Sequence, residues 1–265
     1  MAYETIKYET EDHVAIVTLN RPHRLNSMSP QLIEEFTQAI DEIDKDDNIR
    51  CFIITGAKRP DGRPMFSPGA DLKELAGKGI TALGPERLLD RLEAVFDYAE
   101  PTHSIQRVFE KIENMWKPSI AAIDGICTAG GIELANSVDI RVVAETAQIS
   151  DIHLKNLGMI GGSGAGVRLV RIVGPAKAKE LLFTSDVIDG KEALRIGYAQ
   201  KCYPADKMMD GAKEMAHKIG NMKPEGIRMV KLTCNASPDM PLAHYRYLAE
   251  RLARRVSRYR GVEIS

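Results

Sequence analysis

Gly125-Ile126-Cys127-Thr128-Ala129-Gly130-Gly131-Ile132-Glu133-Leu134-Ala135 runs from a strand end, through small residues, into a helix start. Its neighbours repeat that alternation. On the N-terminal side Lys117-Pro118 leads into an apolar strand, Ser119–Ile123, which Gly125 breaks. On the C-terminal side a helical segment Ile132–Ser137 gives way to a strand over Asp139–Val143 and a short one at Gln148–Ser150. A second junction of the same kind is Phe66-Ser67-Pro68-Gly69-Ala70-Asp71-Leu72-Lys73, where a Gly-Ala turn enters a short helix near Leu72–Leu75. Free N–H groups at a helix start carry part of the positive end of its dipole, and glycines allow a ligand to approach them. Two such groups from different segments can hold one oxygen that becomes negative during a reaction. Simple strand–helix packing is the other reading of each junction.

The rest of the chain extends the pattern. His13–Leu19 is a β-branched run stopped by Asn20-Arg21-Pro22, and Cys51–Thr55 is a second strand ending at Gly56. Between them Ser29-Pro30 opens a helix whose Leu32, Phe36, Ile40 and Ile43 form one core-facing stripe. Lys58–Gly69 is polar and bears Pro and Gly, residues 76–100 are irregular with a loop over Gly77–Gly84, and a helix is expected over about 102–116. From Pro175 the pattern turns helical: Asp189 and Glu192 resemble a capping box. Leu242, Tyr245, Ala249, Leu252, Val256 and Tyr259 line one face of a last helix, opposite Arg246, Arg251, Arg254, Arg255 and Arg258. Alternating strands and helices predict a layered α/β fold, with a boundary near residue 200 dividing a 1–199 core from a helical 200–265 region.

Composition narrows the function classes. The 265 residues carry 36 Lys and Arg against 37 Asp and Glu, a net charge of −1 that argues against a nucleic-acid partner. No apolar run approaches the length of a membrane span, and the start shows no secretory leader, so a cytoplasmic location without membrane attachment is expected. Cys51, Cys127, Cys202 and Cys234 lie far apart without a CxxC pair, so no metal site is expected and reduced thiols are. There is no phosphate loop, and no GxGxxG follows the first strand. Gly161-Gly162-Ser163-Gly164-Ala165-Gly166 either cradles an anion or makes a tight turn between helices.

Five ordered segments resemble the enoyl-CoA hydratase/isomerase (crotonase) family. Phe66–Leu75 is similar to its FSAGADLKE segment, Gly125–Asp139 to its G-x-A-x-GGG-x-ELA-x-x-CD segment, and Asn20–Asn26 to its NRP-x-x-LNA turn. Lys117–Ala122 resembles KP-x-IAA, and Ala176–Leu182 with Glu192–Gly197 its A-x-E-x-x-x-T…EA-x-x-G-L region. The resemblance implies a spiral of repeated ββα units, a C-terminal helical region used in trimer formation, and an acyl-CoA thioester substrate. The oligomer implied is a homotrimer or a dimer of trimers. No separate cofactor is implied, since coenzyme A enters as part of the substrate. It further implies that the N–H groups of Ala70 and Gly130 form an oxyanion hole and that Glu133 activates water. Arg24, Leu25, Pro68, Ala70, Asp71, Leu72, Lys73 and Gly130 would border the CoA moiety, with Lys73 or Arg24 meeting its phosphates.

The chain also departs from that family. The family's second glutamate falls at His153, or at Leu154 if the extra residue before Gly158 shifts the alignment. His153 is then either a replacement proton carrier oriented by Asp151 or a structural histidine bonded to backbone. Pro68 replaces a small residue and stiffens its loop, and the usual C-terminal motif is missing, its cationic role falling to the arginine face or to none. The resemblance implies a lyase that adds water to a 2-enoyl-CoA, cyclic and conjugated acyl groups included. Acyl-CoA hydrolysis, decarboxylation, isomerisation and a non-catalytic acyl-CoA-binding homologue remain as alternatives.

Overall fold

The computed structural model describes residues 3–77 and 104–259. The irregular segment and loop expected from Gly77 onward therefore lie almost wholly outside the described residues. Nine strands make two sheets among those residues. The larger has the order β1 (Ile6–Glu11), β2 (Val14–Leu19), β3 (Cys51–Gly56), β5 (Ser119–Ile123), β7 (Ile140–Ala144), β9 (Lys201–Tyr203). Only the β1–β2 pair is antiparallel. The smaller is a parallel trio, β4 (Met65–Ser67), β6 (Ile126–Thr128) and β8 (Gln148–Ser150).

The chain visits both sheets three times, and each visit ends in a helix. β3, β4 and α2 (Leu72–Gly77) form one unit; β5, β6 and α4 (Gly130–Ser137) the next; β7, β8 and α5 (His153–Leu157) the third. Each unit puts one strand in each sheet, so the three helices all start where the small sheet's strands end. This is the repeated ββα spiral of the crotonase fold.

The middle strands are apolar without alternation because both faces of the large sheet are covered. Ala15, Val17, Phe52, Ile54, Ala121 and Ile123 pack on the side of α1 (Pro30–Lys45), with its Leu32, Phe36, Ile40 and Ile43. Val14, Ile16, Cys51, Ile53, Ile120 and Val142 face the other way, against Met208, Ala212 and Ala216 of α9 (Met208–Gly220). Ser29 caps α1 by accepting from Leu32 N at 3.1 Å, and Pro30 stands in its first turn. At the other end the buried Lys117 ammonium donates to the carbonyls of Ile43 and Asp46.

Short strands are the main difference from the sequence reading. β4, β6 and β9 have three residues each, too few for periodicity to register, and the six-residue β1 is hidden by its polar side chains. The strand expected over Asp139–Val143 begins at Ile140, because Asp139 turns its carboxylate to Ser119 N and Oγ, both at 2.8 Å. The helix expected to reach 116 is α3 (Ser104–Asn114), which stops before Pro118. Asp189 does cap α8 (Gly190–Arg195), accepting from Glu192 N at 2.8 Å.

The helical run from Pro175 is interrupted by β9, which pairs with β7, and α9 lies on the same sheet, so the chain beyond residue 200 begins inside the core layers. Lys231 in α10 (Pro224–Ala236) then ties that helix down, its ammonium reaching Ile112 O, Lys117 O and Asp139 Oδ2 at 3.0, 3.2 and 2.8 Å. The last helix, α11, spans Leu242–Tyr259, and Leu242 and Tyr247 on it are exposed.

Two substitutions test this packing. Phe36→Ala empties a fully buried position of α1 and is expected to lower unfolding free energy by about 3–5 kcal/mol in urea titration. Gly131→Ala would bring a Cβ within 2.2 Å of Ser67 O, where β4 and α4 touch. Since neither backbone can yield, a loss of about 3 kcal/mol or more is expected by the same measurement.

Candidate functional site

The three strands of the small sheet end side by side, and each hands the chain to residues singled out from the sequence. β4 leads to Gly69-Ala70, β6 to Ala129-Gly130, and β8 to Asp151 and His153. In parallel sheets the carboxyl ends of the strands are where such residues can converge.

The first two turns meet through bare backbone. A Cβ added to Gly69 would stand 2.4 Å from Gly130 N, and one added to Gly130 would stand 3.0 Å from Gly69 Cα and 3.4 Å from Ala70 N. Gly69 holds φ +95, and Ala129, one residue before α4, is driven to φ 50. A left-handed alanine is strained by about 1–3 kcal/mol, and such strain persists only where its surroundings enforce it. Met28 forms a parallel bridge with Ala70: Met28 N donates to Gly69 O at 2.8 Å, and Asp71 N donates to Met28 O at 3.0 Å. That pattern uses the amides either side of Ala70 and turns its own N–H away from Met28. Gly130 opens α4, so its N–H has no acceptor within the helix.

One turn into α4, Glu133 is 3% exposed. Its Oε1 accepts from Ser163 N at 2.7 Å, inside the glycine run, and Ala165 N–H adds to it. The anion that run cradles is thus the chain's own carboxylate. Burial pushes the Glu133 carboxyl above its ordinary range, although the His153 ring and these amides act against it. Asp151 is equally buried, and its Oδ1 meets both the backbone N of His153 at 2.9 Å and the ring Nδ1 at 3.0 Å. The other ring nitrogen, Nε2, lies 4.0 Å from Glu133 Oε2. Burial pulls the His153 imidazole down, but the Asp151 bond and the two carboxylate charges outweigh it, and the net shift is upward. Leu154, the other candidate for this position, points outward at 44% exposure.

Other residues singled out from the sequence fall on the rim. Arg24 and Leu25 end a 3₁₀ turn (Pro22–Arg24) and are exposed, as are Leu72 and Lys73 on α2; Pro68 is half-buried. Asp71 is buried instead, its Oδ2 accepting from Arg21 at 2.9 Å and Ser27 Oγ at 3.0 Å. Arg21 also reaches Glu74 at 2.5 Å, so one buried guanidinium fastens the first turn of α2 to the 21–27 loop. Sequence reading passed over that role because the partners lie some fifty residues apart. A separate groove of about 1010 Å³, lined by Asn136, Val138, Ile172, Ile219 and Val230 among others, lies under α10 and includes none of the candidate site residues.

Comparison with known proteins agrees with this architecture. The family model described as enoyl-CoA hydratase/isomerase matches residues 9–261. The Mycobacterium tuberculosis protein named "Probable enoyl-CoA hydratase echA8" is 35% identical over 243 residues, 92% of this chain and 86% of that one. The "Short-chain-enoyl-CoA hydratase" of Clostridium acetobutylicum is 33% identical, covering 89% of this chain and 82% of its own. The crystal structure of an enoyl-CoA hydratase from Bacillus anthracis superposes with a TM-score of 0.81 at 30% identity, over 95% of this chain and 90% of that one. With its paired glycine turns, its buried glutamate and this match across nearly its whole length, the chain belongs to the enoyl-CoA hydratase/isomerase family of enzymes.

Proposed function

We propose that this enzyme adds water across the double bond of a 2-enoyl-CoA. The observation that carries the reading is the carboxylate of Glu133, buried one helical turn beyond two glycine turns packed backbone to backbone. In this reading the N–H groups of Ala70 and Gly130 take the thioester oxygen, which gains negative charge as water adds to C3 of the acyl chain. Each donor of this kind contributes about 2.7–4 kcal/mol of transition-state stabilisation. Glu133 accepts a proton from the water, work suited to a carboxyl that burial has raised toward neutrality. His153, oriented by Asp151, returns a proton to C2.

The rim residues suit a CoA ester approached from the α2 side. Arg24 and Lys73 are exposed cations there, free to meet phosphates, while Asp71, committed to Arg21, contributes main chain only. Assembly as a homotrimer or a dimer of trimers, in the cytoplasm, belongs to the same reading; exposed Val167, Phe183 and Val230 are apolar surface that such contacts would cover. Among the described residues no helix is long and apolar enough to cross a membrane.

Hydration of crotonyl-CoA by the full chain, followed by product analysis, tests the activity. Glu133→Gln keeps the shape and removes the base, so kcat is expected to fall about 10²–10⁴-fold. Release of free CoA thiol in place of a 3-hydroxyacyl product would overturn the reading in favour of hydrolysis. Sedimentation of the purified chain is expected to give a mass of three or six subunits.

A further inference from the structure

The second proton carrier differs from a carboxylate in one respect that the geometry makes specific. An ionised carboxylate only accepts hydrogen bonds, so the 3.0 Å contact with Asp151 Oδ1 places the proton of neutral His153 on Nδ1. Nε2 is thereby left for the group opposite it, which is Glu133 Oε2 at 4.0 Å. Ser163 N already occupies Oε1. A separation of 4.0 Å is too long for a direct hydrogen bond, and it is short enough for one oxygen to bond both sides at about 2.8 Å each. The third wall is Gly161: a Cβ there would stand 2.6 Å from both Glu133 Oε1 and His153 Cε1, and 2.8 Å from Nδ1. Only a bare backbone lets the glutamate and the imidazole face each other at this distance.

We propose that Asp151, acting through His153, makes Glu133 Oε2 and His153 Nε2 a two-point clamp for a single water, with His153 as the second catalytic group and Asp151 as its positioning residue. The proposal rests on the hydratase reading and deepens it. The pair begins with Glu133 ionised and His153 protonated. The water oxygen bonds to C3, its proton passes to Glu133 Oε2, and the C2=C3 pair moves to make an enolate. The Nε2 proton of His153 then goes to C2 and the enolate returns to the thioester. Glu133 is left protonated and His153 neutral, and one proton passed from Oε2 to Nε2 through the next water restores the start. Water is the sole co-reactant.

The charged groups around His153 are Asp151 on its own turn and Glu133 from α4. Lys155 points outward on α5. Arg168 of α6 (Ala165–Val173) is bound to Ser163 O at 2.6 Å and to Glu113 at 2.9 Å. The pH–rate profile of hydration is therefore expected to be a bell whose two limbs belong to the Glu133–His153 pair. The basic limb marks loss of the proton that Asp151 helps to hold, so Asp151→Asn should move it to lower pH. At the optimum the same variant should lose about 10²-fold in kcat, with KM for the ester changed less than about threefold.

Nitrogen-15 spectra of histidine-labelled full chain provide a readout that needs no turnover and no variant: neutral His153 should be the Nδ1–H tautomer. A wild-type Nε2–H tautomer, or an Asp151→Asn profile superimposed on the wild type, would overturn the proposal. Absence of hydration with any enoyl-CoA ester overturns the activity reading and the role of His153 as proton carrier. An Nδ1–H signal in that same protein would still support the positioning by Asp151.

Discussion

Bare backbone contact between two turns is the constraint on which the rest of the site depends. Gly69 and Gly130 leave no room for a β-carbon between them, and Gly131 sits directly on the carbonyl of Ser67. Protein interiors are packed too tightly to absorb even one extra methyl group at such a point without displacing a strand or a helix. Because these contacts join β4 to the start of α4, they fix the Ala70 and Gly130 amides relative to each other and set where Glu133 emerges one turn later. The left-handed Ala129 is a measure of the enforcement: the chain holds a strained residue there rather than open the junction.

The ββα repeat is what makes the constraint productive. Each unit places its long strand in the large sheet, within the main core, and its short strand in the small sheet, whose ends present the candidate groups. Stability and chemistry are thereby separated. The large sheet is covered by α1 and α9 and contributes no candidate residue, while the three-residue strands are held by neighbours and need little propensity of their own. Arg21 and Lys231 secure the borders of this arrangement: one buried cation holds α2, the other holds α10, and both are satisfied by carboxylates and carbonyls, as buried charge requires.

Within the site one buried carboxylate, Glu133, faces an imidazole, His153, that is backed by an aspartate. The electrostatics of the two groups are coupled in a definite way. Burial works against the charged imidazole, and the Asp151 bond together with the Asp151 and Glu133 charges outweighs it. The glycine run from Gly161 serves this pair as well, since its amides hold Glu133 and its missing side chain admits His153.

The sequence by itself determined the apolar strands, the capped and striped α1, the two glycine junctions and the order of motifs that marks the family. These are local signals, written in periodicity, turn chemistry and residue spacing within a few positions. It picked out the three-residue strand at Gln148–Ser150 but not β4, β6 and β9, nor the partners of Arg21, Lys231 and Glu133, and it left His153 undecided between a structural and a chemical role. Those depend on contacts across some twenty to 120 residues of chain, and a side chain's hydrogen-bond partner and burial do not exist until the sheets are assembled. Tertiary structure alone brought the Asp151–His153 pair, Glu133 and the glycine run together, because the ends of β6 and β8 had to be laid side by side and the chain after α5 folded back before they could meet.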